Sequence, residues 1–321
     1  MNRTATDSFG SSHPVITFTY FMVMVIFSMI FLHPLWMILS FGGAFLYSLF
    51  LKGSKALVFF AGFVLPVMVV SSLINPLFNH QGMTILFYFR DNPITAESIA
   101  YGMATGLMFG CILLWFSCYN AVITSDKLIH LFGKLLPGLS LIFAMILRFV
   151  PKFKAQIRVI AGGQKAIGRF GEKAGLLQRI KSGMKILSIM VTWALENGID
   201  TADSMKARGY GLPGRSSYAL YRFDSRDRNR ALVLGLLLTL VGVAGFQGTG
   251  TMNYFPFLQL PSLGSFGITG TIAYGAFCLA PLLMGLAESW KWKRLEGNDP
   301  GETTDRNGTR KEGNAFGQAA L

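Results

Sequence analysis

What most constrains this chain is a series of uncharged apolar segments. Val15–Leu32, Leu35–Leu51, Ala56–Ile74, Ser98–Phe116, Ala231–Phe246 and Ile268–Ala287 contain no Asp, Glu, Lys or Arg. A bilayer core is crossed by about 20 apolar residues in a helix. Backbone polar groups find no water in hydrocarbon, so such segments must satisfy themselves as helices rather than as open strands. The composition agrees, with 52% hydrophobic residues against 14% charged. The expected fold is all-α: a polytopic membrane protein with about six transmembrane helices and long cytoplasmic coupling helices. Val15–Leu32 could mimic a signal peptide. It has no clear small-residue cleavage site, and a second apolar segment follows at once.

The charge gives these spans an orientation. Of the net +13, residues 124–230 carry +12, from 19 Lys and Arg against 7 Asp and Glu. A total of this size could suggest nucleic acid. Its confinement between two sets of spans instead fits a cytoplasmic segment beside an anionic leaflet, so the bilayer is an expected partner and nucleic acid is not. The expected divisions are four N-terminal spans (1–123), a basic cytoplasmic coupling region (124–230), a C-terminal hairpin of spans (231–290) and a disordered cytoplasmic tail (291–321). Both termini then face the cytoplasm of a multi-pass cell-membrane protein. Two further apolar stretches, Leu135–Val150 and Ile186–Leu195, are not counted as spans. If both crossed, Lys152–Lys181 would lie outside with eight basic residues and one acid, against the positive-inside rule. They are expected to be helices at the inner face. Met1–His13 reads as a short polar leader. Pro66 is expected to kink the third span. Asn75–Thr95 is long for a connector and has room for a short hairpin or re-entrant piece.

Gly102, Gly106 and Gly110 repeat every four residues in the fourth span. Such a ridge lets another helix approach closely, within this protein or on a partner membrane protein. Cys111, Cys118 and Cys278 all lie in spans and read as small packing residues. The four histidines are scattered, and no metal site is expected. No P-loop pattern is present, so ATP is not expected to bind to this chain. Gly209–Gly214 fits GxGxxG literally, but it follows a helix and contains Pro213, which argues against a dinucleotide site. With no HExxH, no GxSxG and no ionisable group in a span core, neither hydrolytic catalysis nor ion-coupled transport is expected. The chain is expected to be no enzyme and to hold no cofactor.

One cytoplasmic stretch stands apart, Glu196–Arg215. A helix is expected to start around Asp200 or Thr201, with Asp200 and Asp203 as its acidic N-terminal cap. Lys206 and Arg208 fall in its last turn, where cations suit the helix dipole. Gly209 can take the left-handed ending and Pro213 prevents resumption. Arg208 would then sit at a helix tip between Ala207 and Gly209. That is either a well-capped surface helix or a tip that enters a groove on another protein and offers a fork of donors to a carboxylate.

Ala207-Arg208-Gly209, within Ala202–Gly211, resembles the second Ala-Arg-Gly signature of the transmembrane T component of energy-coupling factor (ECF) transporters. Leu147-Arg148-Phe149-Val150-Pro151 resembles that family's Leu-Arg-Phe-Ile-Pro segment. The resemblance covers about Thr124–Tyr218 and implies a scaffold. Two cytoplasmic ABC-type ATPase subunits would bind the ATP. A separate substrate-binding membrane subunit would bind a vitamin or metal ion. Coupling helices with their tips in grooves on the ATPases would join them. Arg208 would be one tip. The other would lie at Lys165, Ala166, Ile167 and Gly168, where Ile167 stands in place of the arginine the resemblance leads one to expect. Arg148 would pair internally or face headgroups. Three other readings stay open. One is the permease of a conventional ABC importer, for whose docking loop 107 residues is too long. Another is a membrane-bound lipid-modifying enzyme using Arg148, Lys152, Asp200 and Asp203. The third is an adaptor without ATPases.

Overall fold

The structure is a computed structural model and describes residues 9–89, 92–135, 137–167, 176–213, 221, 223–259 and 264–296. The chain is helical except for one small hairpin among these residues. Among the described residues, five helical segments are long and apolar enough to cross a membrane: Pro34–Lys52, Ser54–Phe78, Ala96–Val122, Ser225–Phe246 and Ser265–Lys291. The remaining expected span is α1 (Pro14–Ile30), apolar but 17 residues long.

The first two helices begin alike. His13 precedes α1 and His33 precedes α2 (Pro34–Lys52); each imidazole accepts from the backbone N–H two residues on, Val15 at 3.4 Å and Leu35 at 3.3 Å. The proline that follows occupies the first helical position, where its missing N–H costs nothing. Of the expected polar leader, residues 1–8 lie outside the described residues, and the part that is described, 9–13, is packed against the bundle. Phe9 is fully buried, with its ring edge-on to Tyr20 and Phe21. Polar contacts hold the same segment, with Lys127 donating to the Gly10 carbonyl, Arg230 to Ser12 Oγ and His13 N–H to Asp227 Oδ1.

The third span is α3 (Ser54–Phe59), a π turn (Phe60–Val64) and α4 (Leu65–Phe78). Pro66 cannot donate to Gly62, and the wider turn just upstream absorbs the mismatch, with Leu65 N–H reaching back to Phe60. After α4 the connector does form a hairpin, β1 (Ile85–Phe89) antiparallel to β2 (Asn92–Thr95). It is pinned to α5 (Ala96–Val122) where the Glu97 carboxylate accepts from Thr84 N–H at 3.2 Å and Thr95 Oγ1 donates to the Gln81 carbonyl at 2.9 Å.

α1, α2, α5 and α10 (Ser265–Glu296) form the centre of the bundle, with α4 packed on α5 and α9 (Ser225–Phe246) on α10. Helices in lipid associate through close packing and hydrogen bonds rather than by escaping water. Trp36 stacks on Tyr274 and donates to Thr271 Oγ1 at 3.0 Å. Trp115 donates to Ser40 Oγ at 2.9 Å, and the Tyr20 hydroxyl to the Phe277 carbonyl at 2.9 Å. The glycines of α5 face α4. A Cβ on Gly102 would lie 2.5 Å from the Ser72 carbonyl, on Gly106 2.7 Å from that of Met68, and on Gly110 2.6 Å from the Met68 sulfur. The ridge is therefore occupied from within the chain.

Candidate functional site

Between α5 and α9 the described residues form three helices, α6 (Ser125–Leu135), α7 (Pro137–Ala166) and α8 (Leu176–Ala207). α6 touches α1 and α7, and α8 packs chiefly on α7, so the α7–α8 pair joins the bundle mainly through α6. α6 is itself held down by Lys127, whose ammonium donates to the carbonyls of Gly10 and Val122. At about 1.5 Å per residue, α7 and α8 are each roughly 45 Å long.

α7 and α8 run antiparallel where they meet. The rings of Phe153 and Trp193 lie edge to face with centroids 5.6 Å apart. Lys152 Nζ donates to Asn197 Oδ1 at 2.6 Å and lies 5.4 Å above the Trp193 ring. This crossing sits about the same distance along each helix from its C-terminal end. None of Phe153, Trp193 and Asn197 was singled out from sequence. The signal was there: Phe149 and Phe153, like Trp193 and Asn197, are four apart and share a helix face.

The expected start of a helix at Asp200 or Thr201 is corrected, because α8 runs unbroken from Leu176 to Ala207. Asp200 and Asp203 lie inside it and cap nothing. Their neighbours bond backward along the helix instead: Asn197 Nδ2 donates to the Trp193 carbonyl at 3.1 Å, and Thr201 Oγ1 to the Asn197 carbonyl at 2.6 Å. A residue such as Asn, Asp or Thr caps a helix only where the backbone leaves it an open N–H, and packing of Trp193 and Asn197 on α7 carries the helix past this point.

The end of α8 is where sequence placed it. Gly209 has φ +78°. Its N–H donates to the Lys206 carbonyl at 2.9 Å, and Tyr210 N–H to the Met205 carbonyl at 3.0 Å, the paired closure of a left-handed helix end. Arg208 is the last residue before this turn and its side chain is exposed. At the other tip, Lys165 and Ala166 end α7, and Ile167 follows in a turn, 69% exposed. Gly168 lies outside the described residues. The two tips stand at the C-terminal ends of antiparallel helices, so the structure does not bring Lys165 and Arg208 together.

Arg148 and Arg208 line the same cavity. It has a volume of about 740 Å³, lies between α7 and α8, and is also lined by Lys152, Asp200, Ser204 and Tyr210. Asp203 is not among its walls. The ion pairs among the described residues are Asp224–Arg226 and Arg230–Glu288, so neither Arg148 nor Arg208 is neutralised there. No cluster of three or more His, Cys, Asp or Glu side chains suited to a metal occurs among the described residues.

With this geometry in view, the chain was compared with known proteins. The sequence pattern of the family described as CbiQ, cobalt transport protein, matches residues 11–218. The energy-coupling factor transporter transmembrane protein EcfT of Streptococcus thermophilus is 28% identical over 210 residues, covering 60% of this chain and 79% of that protein. The protein of the same name from Streptococcus equi subsp. equi is 27% identical over 204 residues, 59% of this chain and 75% of its own length. The one from Leuconostoc gelidum subsp. gasicomitatum is 29% identical over 91 residues, 28% of this chain and 34% of its own.

Proposed function

Because the chain belongs to the cobalt transport protein family, CbiQ, we propose that α7 and α8 are mechanical linkers whose ends dock on cytoplasmic ATPases. The chain is a multi-pass membrane protein and the transmembrane component of an energy-coupling factor type transporter. Its relatives are transporter components rather than enzymes. In our reading it catalyses nothing itself. Two ATPase subunits bind and hydrolyse ATP, and a separate membrane subunit binds the vitamin or metal ion to be imported. Closure of the ATPase pair moves the helix ends, and α6 passes that motion to the bundle.

The observation that carries this reading is Arg208: a guanidinium without an ion pair among the described residues, exposed on a closed helix end, on an element that leans chiefly on α7. A fork of five donors in that position suits an acidic or carbonyl-lined groove. Lys165 and Ile167 are the corresponding residues at the α7 end, with Ile167 giving an apolar contact. Removing one partner of a mostly buried charged contact costs about 2–5 kcal/mol. Recovery of the ATPases on wild-type and Arg208→Glu protein, in detergent at moderate salt, tests the proposal. The variant should insert normally in the membrane and lose most of the ATPase and of the uptake. Equal recovery with equal uptake would leave Arg208 as a helix end and nothing more.

A further inference from the structure

The cavity between α7 and α8 holds more positive charge than a docking tip needs. Arg148, Lys152 and Arg208 line it against one carboxylate, Asp200. Lys152 uses one of its three N–H donors on Asn197 and keeps two. The same cavity has apolar lining beside the cations, Leu141, Met145 and Phe149 on α7 and Met205 on α8. The same part of α7 also shows Ile142, Phe143, Ile146 and Val150, each 42–52% exposed and spaced as one helical stripe. An exposed apolar stripe on one face with cations on another is the build of a helix that lies in a membrane interface.

We propose that this cavity binds the phosphate group of an anionic phospholipid headgroup. Arg148 and Lys152 hold the phosphate, and Met145 and Phe149 cover the glycerol and the first methylenes. A guanidinium fork fits two phosphate oxygens at once. A carboxylate from a partner protein would satisfy the cations and leave the apolar wall bare, which favours the lipid. Free phosphate shares the chemistry of the headgroup and also lacks anything to place on that wall. The proposal rests on the reading above that α7 lies against the membrane. Its consequence is that lipid would steady the crossing from which Arg208 projects.

The test uses the purified full-length protein in detergent with no ATPase present, titrated with fluorescent phosphatidylglycerol. Wild type should bind it at least about tenfold more tightly than Arg148→Gln/Lys152→Gln, since a hydrogen bond to a charged group contributes roughly 1.5–3 kcal/mol. Arg148→Lys, which keeps the charge but not the fork, should bind more weakly than wild type and more tightly than the double variant, and so separate lost charge from lost fold. Short-chain phosphatidylglycerol should displace the probe, whereas millimolar inorganic phosphate should not. Displacement by inorganic phosphate would keep the phosphate site and assign its ligand to solution. Equal affinity in wild type and the double variant would overturn the proposal, as would equal binding of phosphatidylglycerol and phosphatidylcholine. Either of those results would leave ATPase docking through Arg208 untouched, because that is read in a different assay.

Discussion

Arg208 owes its position to Gly209. The closing turn needs a residue at φ +78°, and an L side chain there costs about 1–2 kcal/mol. An added Cβ would also stand 3.2 Å from Leu212 Cδ1. Gly209→Ala should therefore open the last turn of α8 while leaving the guanidinium chemically intact. Amide exchange of residues 205–210 should rise by about tenfold, since each 1.4 kcal/mol of opening energy is a factor of ten, and ATPase recovery should fall with it. Unchanged exchange would mean that the turn is held by other contacts. The same scale explains Asp200 and Asp203. Each has the right chemistry for a cap, and neither meets an open backbone N–H, because α8 is already formed around them.

Two elements carry contrasting kinds of packing. The α5 ridge meets α4 backbone directly, so its cost of substitution is steric. Gly106→Leu would drive a branched side chain into Met68 and Ser72 and should cost about 1–3 kcal/mol by analogy with overpacked cores. Thermal unfolding in detergent should report this as a lower midpoint; an unshifted midpoint would mean that α4 can move aside freely. The α7–α8 crossing is instead sparse and aromatic. Trp193 gives one ring contact to Phe153 and one cation–π contact to Lys152, together worth about 1–2.5 kcal/mol. Trp193→Ala should loosen the pair without unfolding the bundle. Spin labels on cysteines placed at Lys165 and Lys206 should give a broader distance distribution in that variant. An equally narrow distribution would put the control of the crossing outside these three residues.

At the scale of the molecule, the charge asymmetry predicts sidedness. A cysteine at Lys206 should be shielded from a membrane-impermeant reagent added outside intact cells, and one at Asn253 should react. The background is suitable because Cys111, Cys118 and Cys278 are all buried. Labelling of position 206 from outside would reverse the orientation and remove the coupling helices from the cytoplasm. The construction fits a lever: a packed bundle, α6 fixed at its edge by Lys127, and a long helix pair with apolar residues such as Leu177, Met184 and Leu187 left exposed on α8.

The sequence by itself determined the class of fold, because six uncharged apolar segments have one stable solution in hydrocarbon. It also determined where α8 ends, since Gly209 and Pro213 act through local backbone geometry that no tertiary contact has to supply. It showed that Gly102, Gly106 and Gly110 make a ridge, and left open whether that ridge faced inward or toward a partner. Tertiary structure decided that α4 fills it. The structure also shows α8 running through Asp200, where the sequence suggested a start, with Trp193 and Asn197 just before it packed on α7. It buried Phe9 where the sequence read a leader. And it put Arg148 and Arg208, sixty positions apart in the chain, on the walls of one cavity. Periodicity and capping are properties of neighbouring residues. Which two helices cross, and at which turn, depends on the shapes of faces that meet only after both have formed.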